Sequence, residues 1–167
     1  RDPAQLGNLL GFNPESFEGY LFPDTYKFKP HSDALTVLRR MHQRFMEQAT
    51  GLAHTRLTPH QFVTLASIVE REARAPQERP RIAAVYLNRL RIGMKLDADP
   101  TVRYAINKWD TTPVLYADLE STSPYNTYRV PGLPPGPICS PGRASLEAVA
   151  RPLETNELFF VAQGDGT

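Results

Sequence analysis

The stretch Leu65-Ala66-Ser67-Ile68-Val69-Glu70-Arg71-Glu72-Ala73 reads as a mostly apolar helix with two carboxylates near its C-terminal end. Upstream, Thr58 is a good N-cap, Pro59 suits the first helical turn and Gln61 completes a capping box. Phe62, Leu65, Ala66, Val69 and Ala73 then form a buried stripe. Glu70 borders that stripe, four residues beyond Ala66. Burial among Ala66, Ile68 and Val69 predicts a raised pKa, and the C-terminal end of the helix dipole pushes the same way. Glu70 is therefore the candidate catalytic acid/base. Glu72 is about 200° further round, so the two acids cannot squarely face one pocket. The competing reading is that both glutamates pair with Arg71, Arg74, Arg79 or Arg81.

A second helix begins near Glu78-Arg79-Pro80 and is apolar over a wide arc through Ile82, Ala83, Val85, Tyr86, Leu87, Leu90 and Ile92, ending at Gly93. Asn88 is its odd polar residue, read as a structural hydrogen bond to a neighbouring loop. A further helix is predicted from Ser32 to about Ala49, with Ser32 as its cap and Gly51 at its C-terminal end. Asp99 followed by Pro100 reads as an N-cap and first position of another. A last helix is predicted over Arg143 to Arg151. The aromatic segment FEGYLFPDTYKF (17–28) and the segment ELFFVAQ (157–163) read as strands. The expected fold class is α+β, a helical body around the 58–75 and 78–93 helices with a small sheet from those two segments.

With 167 residues, 41% hydrophobic and 22% charged, the chain suits one globular domain. A net charge of +1 without a basic run gives no argument for nucleic acid. No apolar run approaches a membrane span of about 18 residues. The single cysteine, Cys139, excludes an internal disulfide and a cysteine-rich zinc site. Residues 1–16 read as a connector from something upstream. Proline is over-used, 16 of 167 residues, against a usual share of about 5%. Five prolines fall between 131 and 141, in a stiff loop that is a candidate cleft wall.

The four histidines (31, 42, 54, 60) all precede the acids. No phosphate loop, dinucleotide fingerprint or metal motif is present, so no cofactor and no metal are expected. A carboxylate with aromatic, amide and hydroxyl side chains is the usual equipment for a polysaccharide cleft. A glycosidase usually needs a second carboxylate. Asp24, Glu72, Asp97 and Asp99 are the candidates, and none is convincingly placed by spacing.

Taken in order, FEGYLFPDTYKF, LASIVEREA, VYLNRLRIGMKLDADPTVRYA, SPYNTYRVPGLPPGPICSPG and LFFVAQGDG resemble the catalytic domain of the endolytic murein transglycosylases, MltG type and YceG-like. The resemblance covers nearly all of residues 17–166. It implies a lytic transglycosylase that cleaves nascent peptidoglycan strands between N-acetylmuramic acid and N-acetylglucosamine without water, leaving a 1,6-anhydro-muramyl end. One glutamic acid suffices there, because the nucleophile is the sugar's own 6-hydroxyl. The same resemblance assigns catalysis to Glu70 and makes Glu72, Asn88, Asp97, Asp99, Thr101, Tyr125, Asn126 and Tyr128 cleft residues. Relatives often carry Gln where this chain has Asp97. They also continue past residue 167 with a His- and Phe-containing segment. The resemblance further implies a bacterial inner-membrane protein with its catalytic part facing the periplasm, an N-terminal anchor and LysM-like part before residue 1, and peptidoglycan synthases as partners. The rival expectation is a non-catalytic glycan-binding or scaffold module of cell-wall synthesis.

Overall fold

The middle of the central helix is buried on every side, which its sequence announces only in part. In the computed structural model, which describes residues 16–109 and 112–161, the helices are α1 (Ala34–Ala49), α2 (Pro59–Glu72), α3 (Arg79–Arg91), α4 (Asp99–Ala105) and α5 (Arg143–Ala150). Helix α2 packs against α3, α4 and α5, and α5 also packs on α3. Every residue from Phe62 to Val69 is buried, so the stripe read from the sequence is one face of a fully enclosed segment.

Enclosure demands that its polar residues be satisfied internally. The Thr64 hydroxyl donates to His60 O at 2.8 Å and the Ser67 hydroxyl to Thr64 O at 2.7 Å. Ser67 Oγ also accepts the Ile138 N–H at 3.0 Å. That bond straps the proline-rich loop to α2. Three residues earlier in the loop, His60 bridges Tyr20 Oη (2.7 Å, at Nδ1) and Pro135 O (2.8 Å, at Nε2). A carbonyl only accepts, so Nε2 carries the proton and Nδ1 accepts from the phenol.

The predicted capping box is present, with Thr58 and Gln61 each bonding the other's backbone N–H. Two other cap readings shift by one residue. Asp33 rather than Ser32 caps α1, accepting from the Thr36 N–H at 2.9 Å. The N-cap of α4 is Ala98, with Asp99 and Pro100 inside the first turn.

The expected sheet does not form: among the described residues there is no strand. Two extended segments exist, but their partners are helices and side chains. In 17–28, the Phe22 N–H donates to Met41 O on α1 at 3.2 Å and the Tyr26 hydroxyl returns to Phe22 O at 2.7 Å. Pro23 offers no N–H for a ladder. Gly19 has φ +90, and a Cβ there would meet Pro137 Cγ at 2.5 Å, so only glycine lets this segment turn beneath the loop.

In the C-terminal arm, Asn88 Nδ2 donates to Thr155 O (2.8 Å) and Glu157 O (3.0 Å), and Arg89 Nε donates to Leu158 O (2.7 Å). Arg81 grips the Glu157 carboxylate with both Nε (2.7 Å) and Nη2 (2.5 Å). Side chains of α3 thus occupy the acceptors that a neighbouring strand would have used. Residues 162 and 163 of the predicted strand, and the predicted connector apart from Ser16, lie outside the described residues.

Candidate active site

The last turn of α2 carries the two acids to opposite sides, and they meet different chemistry. Glu70 points to the N-terminus of α5. Its Oε2 accepts from the Ser145 hydroxyl at 2.6 Å and from the Gly142 N–H at 3.1 Å, and its Oε1 faces Arg79 Nη2 at 3.3 Å. Arg79 Nε also donates to Ser145 Oγ at 3.0 Å, closing the ring. Gly142 is the N-cap of α5 and lacks a side chain to cap it. Glu70 therefore acts as a cap supplied from another helix, where the dipole favours a negative charge.

The expectation of a raised Glu70 pKa is not met. Burial alone would raise it, but the hydrogen bonds from Ser145 and Gly142 and the Arg79 charge together outweigh burial, holding the carboxyl below its ordinary value. Of the arginines proposed as partners, Arg79 is the one that pairs with Glu70. Arg71 lies over the Trp109 ring, 5.7 Å from its centroid, and Arg81 pairs with Glu157.

Glu72 is half-buried on the other side, against α3 and α4. Its pKa is pushed up to about 7, first by burial and then by the Asp99 charge; a hydrogen bond from Tyr86 and the charges of Arg74 and Arg89 only partly offset them. Tyr86 is buried, 1% exposed, and its phenol is pushed well up by burial and by Glu72. The Tyr128 hydroxyl donates to Asp99 Oδ1 at 2.6 Å. Burial and that bond push the Tyr128 pKa up, with Asp97 and Glu72 adding to the effect. Asp97 sits at a positive φ of 48 with Oδ2 3.8 Å from Arg89 Nη1. Buried Arg89 also donates to Leu96 O at 2.7 Å and lies 5.0 Å from the centroid of the Phe159 ring.

Four residues expected in the cleft thus come together: Glu72, Asp97, Asp99 and Tyr128. Three others are committed to structure. Asn88 spends its amide on the C-terminal arm. Thr101 is buried, donating to Ala98 O at 2.7 Å and meeting Thr127 Oγ1 at 2.8 Å. Asn126 is fully buried, donating to Leu119 O and Ser121 O at 2.8 Å each and accepting from the Tyr128 N–H at 3.1 Å. It thereby fixes the turn that presents Tyr128.

Tyr125 belongs elsewhere, its ring 4.8 Å from Tyr104 and its side chain on a groove of about 950 Å³ lined also by Tyr20, Phe45, His60 and Phe62. That groove lies at the N-terminal end of α2, and neither acid lines it. Tyr86 and Arg89 escaped the sequence reading because a tyrosine and an arginine on an apolar helix look like packing. Their signal was weak: two hydrogen-bonding groups on the face turned toward the end of α2.

Two carboxyls on opposite sides of one helix end, Glu70 clasped by Ser145, Gly142 and Arg79 and Glu72 set against Tyr86, define the site in a helical frame. The YceG-like family model matches residues 3–167, and the chain belongs to that family. It is 41% identical over 157 residues to the endolytic murein transglycosylase of Bacillus subtilis (strain 168), covering 89% of this chain and 42% of that protein. It is 33% identical over 153 residues to the protein of the same name from Streptococcus pneumoniae serotype 2, covering 87% of this chain and 28% of that one. The crystal structure of a YceG-like protein from Listeria monocytogenes superposes with a TM-score of 0.83 at 35% identity, over 96% of this chain and 57% of that one. The chain spans less than half the length of the curated relatives it matches.

Proposed function

We propose that this domain carries the catalytic machinery of an endolytic lytic transglycosylase acting on peptidoglycan glycan strands, with Glu70 as its general acid/base. The observation that carries the reading is the place of Glu70, the first acid of the SIVEREA motif, half-buried at the end of α2 with its carboxyl turned to Ser145, Gly142 and Arg79. Glu72, two residues on, faces α3 and α4 instead, and its pKa is pushed up to about 7 chiefly by burial.

In the proposed reaction the Glu70 carboxyl, protonated in the substrate complex, donates its proton to the glycosidic oxygen as the bond from the muramyl C1 breaks. The carboxylate left behind takes the proton of the muramyl 6-hydroxyl, whose oxygen closes on C1. The acid is restored and no water is consumed, so no second catalytic carboxylate is required. The relatives that carry the name of this activity support the reading. Placement facing the periplasm from an inner-membrane anchor, and partnership with peptidoglycan synthases, belong to the same proposal. Among the described residues no helix is long and apolar enough to cross a membrane.

The test is digestion of purified glycan strands followed by mass spectrometry, with Glu72→Gln and Glu70→Gln beside the unaltered chain. The unaltered chain should release 1,6-anhydro-muramyl products, and Glu70→Gln, checked for folding, should lower their yield by about 100-fold or more. Glu72→Gln should stay within about tenfold. Loss confined to folded Glu72→Gln would move the role to Glu72. Reducing-end products would indicate a hydrolytic muramidase, and binding without cleavage a glycan-binding module.

A further inference from the structure

The three donors on Glu70 are not equivalent, and their arrangement decides which carboxyl oxygen is left to react. Oε2 takes two of them, the Ser145 hydroxyl at 2.6 Å and the Gly142 N–H at 3.1 Å. Oε1 takes one, Arg79 Nη2 at 3.3 Å. A charge-assisted N–H···O bond is usually about 2.7–2.9 Å long, so the Arg79 contact is the loosest of the three.

Ser145 has no freedom of direction. Its Oγ accepts the Arg79 Nε–H at 3.0 Å, and a guanidinium only donates. The hydroxyl proton is therefore turned to Glu70 Oε2. Ser145 is 0% exposed in the first turn of α5, and Gly142 is the N-cap of the same helix. Both donors to Oε2 thus belong to one rigid element. The donor to Oε1 is a side chain with a second anchor.

We infer that Ser145 is a positioning residue that reserves Oε2 of Glu70 as a permanent acceptor, leaving Oε1 to carry the proton to the sugar, with Arg79 as the latch that releases it. This rests on the proposed catalytic role of Glu70. A proton on Oε2 would oppose two donors, one of them a backbone N–H that cannot turn away. A proton taken from solvent onto Oε1 displaces only the 3.3 Å contact. Arg79 stays tethered through Nε to Ser145 while Nη2 swings off. Oε1 then gives its proton to the glycosidic oxygen and takes the next from the 6-hydroxyl. Around Glu70 stand Arg79 from α3, Ser145 and Gly142 from α5, and Cys139 from the proline-rich loop. The Cys139 thiol is pushed up to about 12 by burial and by the Glu70 charge, so it stays protonated.

The experiment pairs a carboxyl carbon NMR titration of the 167-residue chain without substrate with the pH profile of glycan cleavage. The proteins compared are the unaltered chain, Ser145→Ala and Arg79→Gln. Removing either donor destabilises the carboxylate, so the Glu70 midpoint should rise by about one pH unit or more. The alkaline limb of kcat/KM should rise with it. At its optimum Ser145→Ala should lower kcat by about tenfold or more with KM within about twofold, because the acid is misplaced rather than unbound. Arg79→Gln should lower kcat less, since Oε2 keeps both of its donors.

An unmoved Glu70 midpoint in folded Ser145→Ala overturns the inference, as does a change confined to KM. Should Ser145→Ala fail to fold, Arg79→Gln decides by the same midpoint. Equal product from the unaltered chain and Glu70→Gln, nil included, removes the catalytic role of Glu70 and this inference with it, even where the midpoints move. If Glu70→Gln is inactive while Ser145→Ala leaves midpoint and limb in place, this inference falls alone.

Discussion

Two glutamates separated by one residue face opposite demands, and pH should distinguish them. Glu70 has a depressed pKa, so its clasp contributes stability above the ordinary carboxylate range and loses it as pH falls through the folded value. Glu72 has a pKa raised from 4.5 to about 7, so it is the folded state that binds the extra proton. Stability should therefore fall as pH rises from about 4.5 to about 7 and level off beyond, by at most about 3 kcal/mol. Thermal melts across pH 4 to 9 should show Glu72→Gln more stable than the unaltered chain at pH 8 and indistinguishable from it at pH 4. Glu70→Ala should behave oppositely, losing about 2 kcal/mol at pH 7, because it strands the Arg79 charge and the Gly142 N–H. Denaturant midpoints at pH 7 would measure that loss.

At the scale of elements, the extended segments depend on single residues to a degree that strands would not. Asn88→Ala removes two hydrogen bonds to the C-terminal arm. Amide hydrogen exchange should then quicken over 155–158, with α2 unaffected. Gly19→Ala should cost about 2 kcal/mol or more, from the positive φ together with the clash on Pro137.

The helices were legible where their signals were local. The Thr58–Gln61 capping box, Pro59 and the apolar period of α2 all lie within a few residues. The sheet was misread because aromatic alternation in 17–28 and the apolar run at 158–161 look like strands whether or not a neighbour is present. Here the neighbours are Met41 O and the side chains of Asn88 and Arg89, remote in sequence. The same distance hid the sorting of the acids. Glu70 and Glu72 share one helical turn, but their surroundings come from Arg79, Gly142 and Ser145 in one case and from Tyr86 and Asp99 in the other.

Across the whole molecule, α2 is a spine touched by α3, α4, α5 and the proline-rich loop, so unfolding should be a single event. The only tryptophan, Trp109, lies beyond α4 with its ring edge-on to Tyr104 at 6.0 Å. Its fluorescence and far-UV circular dichroism should give coincident transitions in urea. Separate midpoints would mean that the periphery melts ahead of the spine. The loop is strapped near its middle, at Pro135 to His60 and at Ile138 to Ser67. Ser67→Ala should therefore lower the common midpoint, by about 1 kcal/mol, rather than split it.

The clasp on Glu70 has one more consequence. A helix end without tertiary fastening can twist about its own axis, and a twist of a few tens of degrees would carry Glu72 away from Tyr86 and Asp99. Because Glu70 is pinned to α5 and Arg79, the azimuth of the last turn is locked, and Glu72 inherits its bearing at about 200° from that pin. Shifting the Glu70-Arg71-Glu72 triplet by one residue along α2 would rotate both acids by about 100°. Neither would then find its partners, although the composition of the helix would be unchanged.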